Sequence, residues 1–280
     1  MQYILVDSAS DIQTDNKENY MHVPITITLA GRDYKDGENI DKETFYRLLR
    51  KSENFPKTSQ PSPDVFFEIF QRVKKEKSSL VYLALSSMLS GTYQSAMIAK
   101  QMVEYDDIYI VDTRTLTYGI ALLAQIAEKL RSGGKTAREI AETIEEIKGN
   151  TRIVAGVDTL EYLYKGGRLS RASAAVGTVA NIKPVLTISK AGTVSVIGKS
   201  LGKARAMASI IKFLKDNPAD PDYPFYTIFT SGEENTAELE SKLPDNIDFS
   251  RVQISSTIGA HAGPGAYGLI YMAKEKDAIQ

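Results

Sequence analysis

Strand-like apolar runs alternate with helical patterns through the first half of the chain, and this alternation constrains the fold more than any other feature. Strands are predicted at residues 3–6, 22–29, 80–85 and 108–111. Helices are predicted at residues 41–49, 63–75, 92–104, 117–131 and 136–148, the last with Thr136 and Glu139 as a capping-box pair. Strands that are separated by single helices favour a mostly parallel sheet with helices on its faces.

The second half has a different order of elements. Strands are predicted at residues 153–157, 185–189, 193–197, 225–229, 252–255 and 269–273, and helices at 160–164, 170–180, 203–215 and 236–242. A turn at residues 191–192 joins two of these strands into an antiparallel hairpin. The sequence therefore predicts an α/β protein, with an N-terminal α/β domain at residues 1–155 that has a mostly parallel sheet. A C-terminal α+β domain is predicted at residues 156–280.

Composition and charge exclude several classes of function. The chain of 280 residues carries a net charge of -1, so no overall basic field indicates nucleic acid or an anionic membrane as a partner. Because it has no cysteine, disulfides and cysteine-ligated zinc are excluded, and two histidines argue against a dedicated histidine metal site. No run is long and apolar enough for a signal peptide or a membrane span, so we expect a soluble cytoplasmic protein.

Two strings look like nucleotide-binding motifs but stand in the wrong context. The segment GTVSVIGKS at residues 192–200 has five residues between its glycines, where a phosphate-binding loop needs four, and these five alternate like a strand. The string GPGAYG at residues 263–268 matches G-x-G-x-x-G, but it precedes a strand instead of opening a helix. No G-x-S-x-G nucleophile elbow occurs, although Ser90 stands at a predicted strand-to-helix turn.

The segment IGAHAGPGAY at residues 258–267 holds one of only two histidines, His261, among three glycines and a proline. Glycine and proline at this density favour an irregular loop whose backbone can approach a ligand closely. The imidazole would then provide a polar anchor for a small molecule. A simple turn between two strands, with a histidine that only packs, explains the segment equally well.

Hydroxyl groups stand near two predicted helix starts. Thr58 and Ser59 come shortly before one helix, and Ser90 comes directly before another. Helix N-termini offer unpaired N–H groups and the positive end of the helix dipole, which suit an anion. Ordinary helix capping is the alternative for either segment taken alone. The presence of a second segment, the histidine loop and a Gly-Gly-Arg turn that ends at Arg168 weakens that alternative.

These polar groups include no carboxylate pair, metal cluster or nucleophile–base set, so they can hold a carboxylate or a phosphate without reacting with it. An apolar ligand tail would contribute about 0.8 kcal/mol for each buried methylene. Several apolar side chains near the hydroxyls would either bury such a tail or form ordinary core: Phe66, Phe67, Ile69, Phe70, Met88, Leu89 and Met97.

Five motifs together resemble the DegV family. They are DSxSD at residues 7–11, TSQPS at 58–62, SxxSGTYQS at 87–95, LEYLxKGGRLS at 160–170 and IGxHxGPG at 258–265. The motifs occur in the family's order across the whole chain, and as a set they are highly specific.

The resemblance implies a bacterial, monomeric fatty-acid-binding protein that is not itself an enzyme and needs no cofactor. Its acyl chain would be buried between or within two α/β domains. The protein would present the carboxylate to a separate ATP-dependent kinase, and the acyl-phosphate product would enter phospholipid synthesis. By motif, Thr58 and Ser90, with Ser59 beside them, would bind the carboxylate. Arg168 and His261 would belong to the surrounding hydrogen-bond network or would lie near the mouth that faces the kinase. A basic patch for docking the partner would comprise Lys199, Lys203 and Arg205, although a solvated helix face explains these three residues equally well.

Two other classes of function remain open at this stage. A hydrolase could use Ser90 with His261, but the sequence places no acid to orient the histidine and lacks the nucleophile elbow. A binder of another small anion, phosphorylated or sugar-like, would use the same polar groups without an acyl tail.

Overall fold

The structure of the protein is a computed structural model that describes residues 1–12, 20–170 and 181–274. Its strands within these ranges are β1 (Gln2–Asp7), β2 (Tyr20–Val23), β3 (Thr26–Leu29), β4 (Arg32–Lys35), β5 (Lys57–Ser59), β6 (Ser79–Ala84), β7 (Ile108–Asp112), β8 (Thr151–Gly156), β9 (Ile182–Ile188), β10 (Val194–Leu201), β11 (Tyr226–Phe229), β12 (Ser250–Gln253) and β13 (Tyr267–Met272). Its α-helices are α1 (Lys42–Lys51), α2 (Pro63–Lys75), α3 (Thr92–Val103), α4 (Tyr118–Ser132), α5 (Ala137–Ile147), α6 (Glu161–Lys165), α7 (Lys203–Asp216), α8 (Glu234–Glu240) and α9 (Ser256–Ala262).

The first sheet is fully parallel, as the alternation of strands and helices predicts. Its strand order is β2-β1-β6-β7. Successive side chains of a strand point to opposite faces, so one face of β1 buries Tyr3 and Leu5 and the other buries Ile4 and Val6. Helices α2 and α3 cover the first of these faces, and α4 and α5 cover the second.

The second sheet is mostly antiparallel and has the order β10-β9-β8-β13-β11-β12, in which only β11 and β12 pair in parallel. The predicted hairpin of β9 and β10 is confirmed, with both strands longer than predicted. Helices α7 and α8 cover the face that carries Val154 and Leu269. The opposite face, with Ile153 and Ile228, joins the core that surrounds α4 and α5. The predicted α/β fold class is therefore confirmed.

The prediction of one strand at residues 22–29 is wrong. Pro24 separates β2, which pairs in the first sheet, from β3, which pairs with β4 and β5 in a small antiparallel sheet. Proline lacks the N–H that a continuous ladder needs, so the chain changes sheets there. The period-two alternation of apolar residues continues across the break, which is why the sequence pattern conceals it.

Helix starts follow local capping chemistry in two cases and depart from it in a third. Asp41 accepts a hydrogen bond from Thr44 N at 2.7 Å, and the predicted capping box of Thr136 and Glu139 forms at α5. Ser62 occupies the cap position of α2, but its side chain makes no capping hydrogen bond.

Two further expectations concern the division of the chain and the helix predicted at residues 170–180. That helix lies almost wholly outside the described residues. The predicted domain boundary at residue 155 falls inside β8, the first strand of the second sheet along the chain. How the chain divides into domains stays a prediction.

Candidate ligand-binding site

An apolar cavity lies between the carboxyl-terminal edge of the first sheet and the inner face of the second. Leu85 follows β6 and Leu116 follows β7, so both stand at the edge where parallel α/β sheets hold their ligands. The second sheet contributes Ile153, Ala155 and Ile228. The empty volume, which includes space open to solvent, is about 950 Å³.

Helix α9 closes one wall of the cavity, and it replaces the irregular loop predicted around His261. Ser255 caps the helix by accepting a hydrogen bond from Ile258 N. Thr257, Ile258, His261 and Ala262 all line the cavity, and their spacing places them on one helix face. The glycine-rich run misled the prediction because only its second part is irregular: Gly263, with a φ of +76°, ends the helix.

His261 meets Thr58 at the polar end of the cavity. The His261 Nε2 and Thr58 Oγ1 atoms are 2.8 Å apart. Within the described part of the chain, His261 Nδ1 is buried without a hydrogen-bond partner. Burial, and secondarily the positive charge of Arg168, lowers the pKa of His261 to about 4, so the imidazole is neutral at pH 7.

Arg168 stands beside this pair at the end of a tight turn. Gly167 adopts a φ of +73°, which directs the chain back toward the cavity. The guanidinium donates hydrogen bonds to the carbonyl oxygens of Leu89 at 2.9 Å and Gly166 at 2.5 Å. It makes no ion pair with any described residue. Burial lowers its pKa, so an anion that enters the cavity would gain a partly desolvated cation as its partner.

Ser90 lines the same end of the cavity, whereas Ser59 does not line it. Ser90 Oγ lies 2.7 Å from Thr92 Oγ1, at the start of α3, and is half-buried. Ser59 follows Thr58 on β5, and the alternation of the strand leaves it exposed. The structure thus brings Thr58, Ser90, Arg168 and His261 to one cavity, as the motifs imply.

The other sequence candidates lie elsewhere. Of the seven apolar residues considered for a ligand tail, only Leu89 lines the cavity. Phe66 and Phe70 belong to α2 and pack against the first sheet. Lys199 lies on β10, and Lys203 and Arg205 lie in the first turn of α7. All three are exposed and none lines the cavity.

Sequence reasoning missed four polar residues of the cavity wall, which are Gln60, Thr117, Thr187 and Thr257. Gln60 lies at the polar end, and its Nε2 donates to Ser95 Oγ at 3.1 Å. Thr257 donates its hydroxyl to Asp36 Oδ2 at 2.6 Å. Thr117, with a φ of +50°, donates to a carboxylate oxygen of Asp11. A helical reading of residues 256–262 would have placed Thr257 beside His261, but no local pattern marks Thr117.

None of the described helices is long and apolar enough to cross a membrane. In the same part of the chain, no three Asp, Glu, His or Cys side chains are grouped so that they could hold a metal ion.

These features define a class: a two-sheet α/β protein that encloses an apolar cavity and lines one end of it with hydroxyls, an imidazole and a guanidinium. The chain belongs to the DegV family, because the family model described as "Uncharacterised protein, DegV family" matches residues 2–274.

Relatives of known sequence or structure cover nearly the whole chain. A DegV domain-containing protein of Caldanaerobacter subterraneus is 38% identical over 277 residues, which span 97% of this chain and 98% of the relative. The solved structure of a fatty-acid-binding DegV family protein from Thermus thermophilus is 29% identical, with a TM-score of 0.86 over 98% of this chain and 99% of that one. The fatty acid kinase B3 protein of Streptococcus pneumoniae, solved with linoleic acid, shares the fold at a TM-score of 0.85 and 22% identity, with 98% and 99% of the two chains covered.

Proposed function

We propose that this protein binds one long-chain fatty acid in the apolar cavity and presents its carboxylate to a separate ATP-dependent kinase. The observation that carries the proposal is the combination of a buried apolar wall with one polar end at Thr58, Ser90, Arg168 and His261. The Thermus thermophilus relative, which has the same fold and is described as fatty acid binding, supports the same ligand class.

The polar end suits a carboxylate better than a neutral head group. A desolvated carboxylate needs hydrogen bonds to its charged form. Thr58 and Ser90 can each donate a hydroxyl proton, and Arg168 supplies a positive charge that no described carboxylate neutralises. Each charge-assisted hydrogen bond contributes about 1.5–3 kcal/mol.

The kinase step rests on the DegV motifs and on the position of the polar end. Ser90 and Arg168 are both partly exposed, so a carboxylate held between them would lie near solvent, where a partner could reach it. The acyl chain would stay in the cavity during the transfer. The product would be an acyl-phosphate for phospholipid synthesis, and the protein would act as a carrier without catalysing the reaction. Lys199, Lys203 and Arg205 remain the proposed docking residues.

Hydrolysis by Ser90 and His261 has less support. The His261 imidazole bonds to Thr58, whereas Ser90 bonds to Thr92, so the nucleophile and base that such an enzyme needs are not hydrogen-bonded to each other. No carboxylate of the described residues holds the second nitrogen of the ring.

The first experiment is denaturing extraction of the purified protein followed by mass spectrometry of the released small molecules. We expect one fatty acid per chain. An empty protein that also failed to take up added fatty acid would contradict the proposal and would favour another anion.

Variants of the polar end test the residues. Ser90→Ala and Thr58→Val should each weaken fatty-acid binding about 10-fold or more, as expected for the loss of one charge-assisted hydrogen bond. Ser59→Ala is the matched control, because Ser59 is a neighbouring hydroxyl that is exposed and lies off the cavity. Equal retention of fatty acid in Ser90→Ala, Ser59→Ala and the parent protein would remove Ser90 from the site.

A further inference from the structure

A second groove, whose lining carries more cations than anions, adjoins the ligand cavity. The two share Thr187 and Ile188 of β9 as lining residues. The empty volume of the groove, which includes space open to solvent, is about 1090 Å³. Its ionisable lining consists of the cations Arg114, Lys148, Arg152 and Lys190 and the anions Glu145 and Glu146. Two positive charges are therefore in excess.

Arg152 is a half-buried cation of the groove. Its Nη1 donates to the carbonyl oxygens of Gly149 at 2.6 Å and Thr151 at 3.0 Å. It forms no ion pair with any residue that the structure describes. Burial lowers its pKa. A partly desolvated guanidinium without a carboxylate is unfavourable unless an anion binds it.

The other cations of the groove differ in how firmly they are already paired. Lys148 bonds to Glu145, and Arg114 approaches Asp112 only to 4.0 Å. Lys190 is exposed and has no ion-pair partner among the described residues. Arg114, Arg152 and Lys190 are thus available to a ligand.

The loop that follows β7 connects the groove to the cavity. Arg114 and Thr115 line the groove, whereas Leu116 and Thr117 line the cavity. Arg114 and Thr117 have φ values of +53° and +50°, which are unusual for residues with a side chain and occur preferentially at functional sites.

The turn between β9 and β10 holds this loop in place. Gly192 lies in this turn, and a Cβ on it would lie 2.3 Å from Ser86 Oγ and 3.1 Å from Arg114 Cα. Ser86, which follows β6, donates its hydroxyl to the carbonyl oxygen of Gly192 at 2.8 Å and its N–H to the carbonyl oxygen of Thr115 in the loop at 3.1 Å. This close approach and the φ of +84° both favour glycine at residue 192. The packing of the turn against the loop places Lys190, which is in the turn, on the same groove as Arg114.

We propose that this groove is a second binding site, which takes a small phosphate-bearing molecule through Arg114, Arg152 and Lys190. A phosphomonoester carries about -1.5 to -2 charges at pH 7, which matches the excess of two positive charges better than a single carboxylate does. Because the two sites share Thr187 and Ile188, occupancy of the groove alters the affinity of the cavity for its ligand. This coupling rests on the proposed fatty-acid function, whereas the phosphate site itself does not.

Isothermal titration of the fatty-acid-free protein with inorganic phosphate tests the site, and acetate serves as the carboxylate comparison. Phosphate should bind and acetate should bind at least about 10-fold more weakly. Arg152→Gln and, separately, the exposed Lys190→Gln should each weaken phosphate binding about 10-fold or abolish it. Lys75→Gln, an exposed change on α2, should leave it unchanged. The absence of phosphate binding, equal binding of acetate, or unchanged affinity in both groove variants would overturn the site.

The coupling has its own readout. Phosphate at a concentration that saturates the parent protein but not Lys190→Gln should change the affinity for oleate in the parent protein and have a smaller effect in the variant. If the affinity for oleate were the same with and without saturating phosphate, the coupling would be refuted, but the phosphate site would stand. Failure of oleate to bind the parent protein at all would instead refute the proposed function, and the phosphate titration would still decide the groove.

Discussion

The buried imidazole of His261 makes a quantitative prediction about the stability of the ligand-free protein. Burial beside Arg168 lowers the pKa of His261 from 6.5 to about 4. One pKa unit corresponds to about 1.4 kcal/mol, so full protonation costs the folded state about 3 kcal/mol. The unfolded chain binds more protons than the folded chain between these two pKa values. Stability from this group is therefore lost as the pH falls from about 6.5 to 4, and about 2 kcal/mol of it is gone at pH 5.

His261→Gln isolates this effect, because glutamine keeps an amide near Thr58 and does not titrate. We expect the free energy of unfolding of the parent protein, measured by urea titration, to fall by about 2 kcal/mol more between pH 7 and pH 5 than that of the variant. Burial also raises the pKa values of Asp7 and Asp11 to about 6, which acts in the opposite direction. Both carboxyls are present in both proteins, so their contributions cancel in the difference.

Proton NMR measures the pKa of His261 directly. The chain has only two histidines, so the imidazole resonance that disappears in His261→Gln identifies His261. A titration midpoint near 6.5 in the parent protein would refute the argument, because it would mean that the folded state does not desolvate the ring. An equal pH dependence of unfolding in the two proteins would refute it as well.

Three further outcomes follow from the geometry of the site. A bound fatty acid should raise the pKa of His261, because its carboxylate opposes the effect of burial, and NMR titration with and without oleate measures the shift. In the same urea titration, Gly166→Ala should lower the free energy of unfolding by about 1–3 kcal/mol, because the added Cβ would lie 2.2 Å from His261 Nδ1. Gly149→Ala is the control and should have little effect, since its added Cβ would have no atom within 4 Å. Ala155→Phe should shift the extracted fatty acids toward shorter chains, since the larger side chain fills cavity volume, and an unchanged chain-length profile by mass spectrometry would contradict this.

The parallel first sheet and the β9–β10 hairpin were predictable because periodicity and turn chemistry act over a few residues. The same local rules failed at two places. Pro24 interrupts an alternation that looks continuous, and the first part of the glycine-rich run around His261 is helical. In each case the competing signal came from a single residue within a longer pattern. Pro24 lacks the N–H that a continuous strand ladder needs, and Ser255 caps α9.

The motifs alone predicted that Thr58, Ser90, Arg168 and His261 belong to one site and that its ligand is a fatty acid, because a family's polar residues recur at recognisable positions. Their mutual geometry was not readable from the chain. Thr58 and His261 are 203 residues apart in sequence and 2.8 Å apart in space. Which apolar residues line the cavity, Leu89 and not Phe66, likewise depends on how two sheets and α9 pack together. Local preference sets the elements and their faces, whereas contacts between distant segments arise only when those faces bury one another.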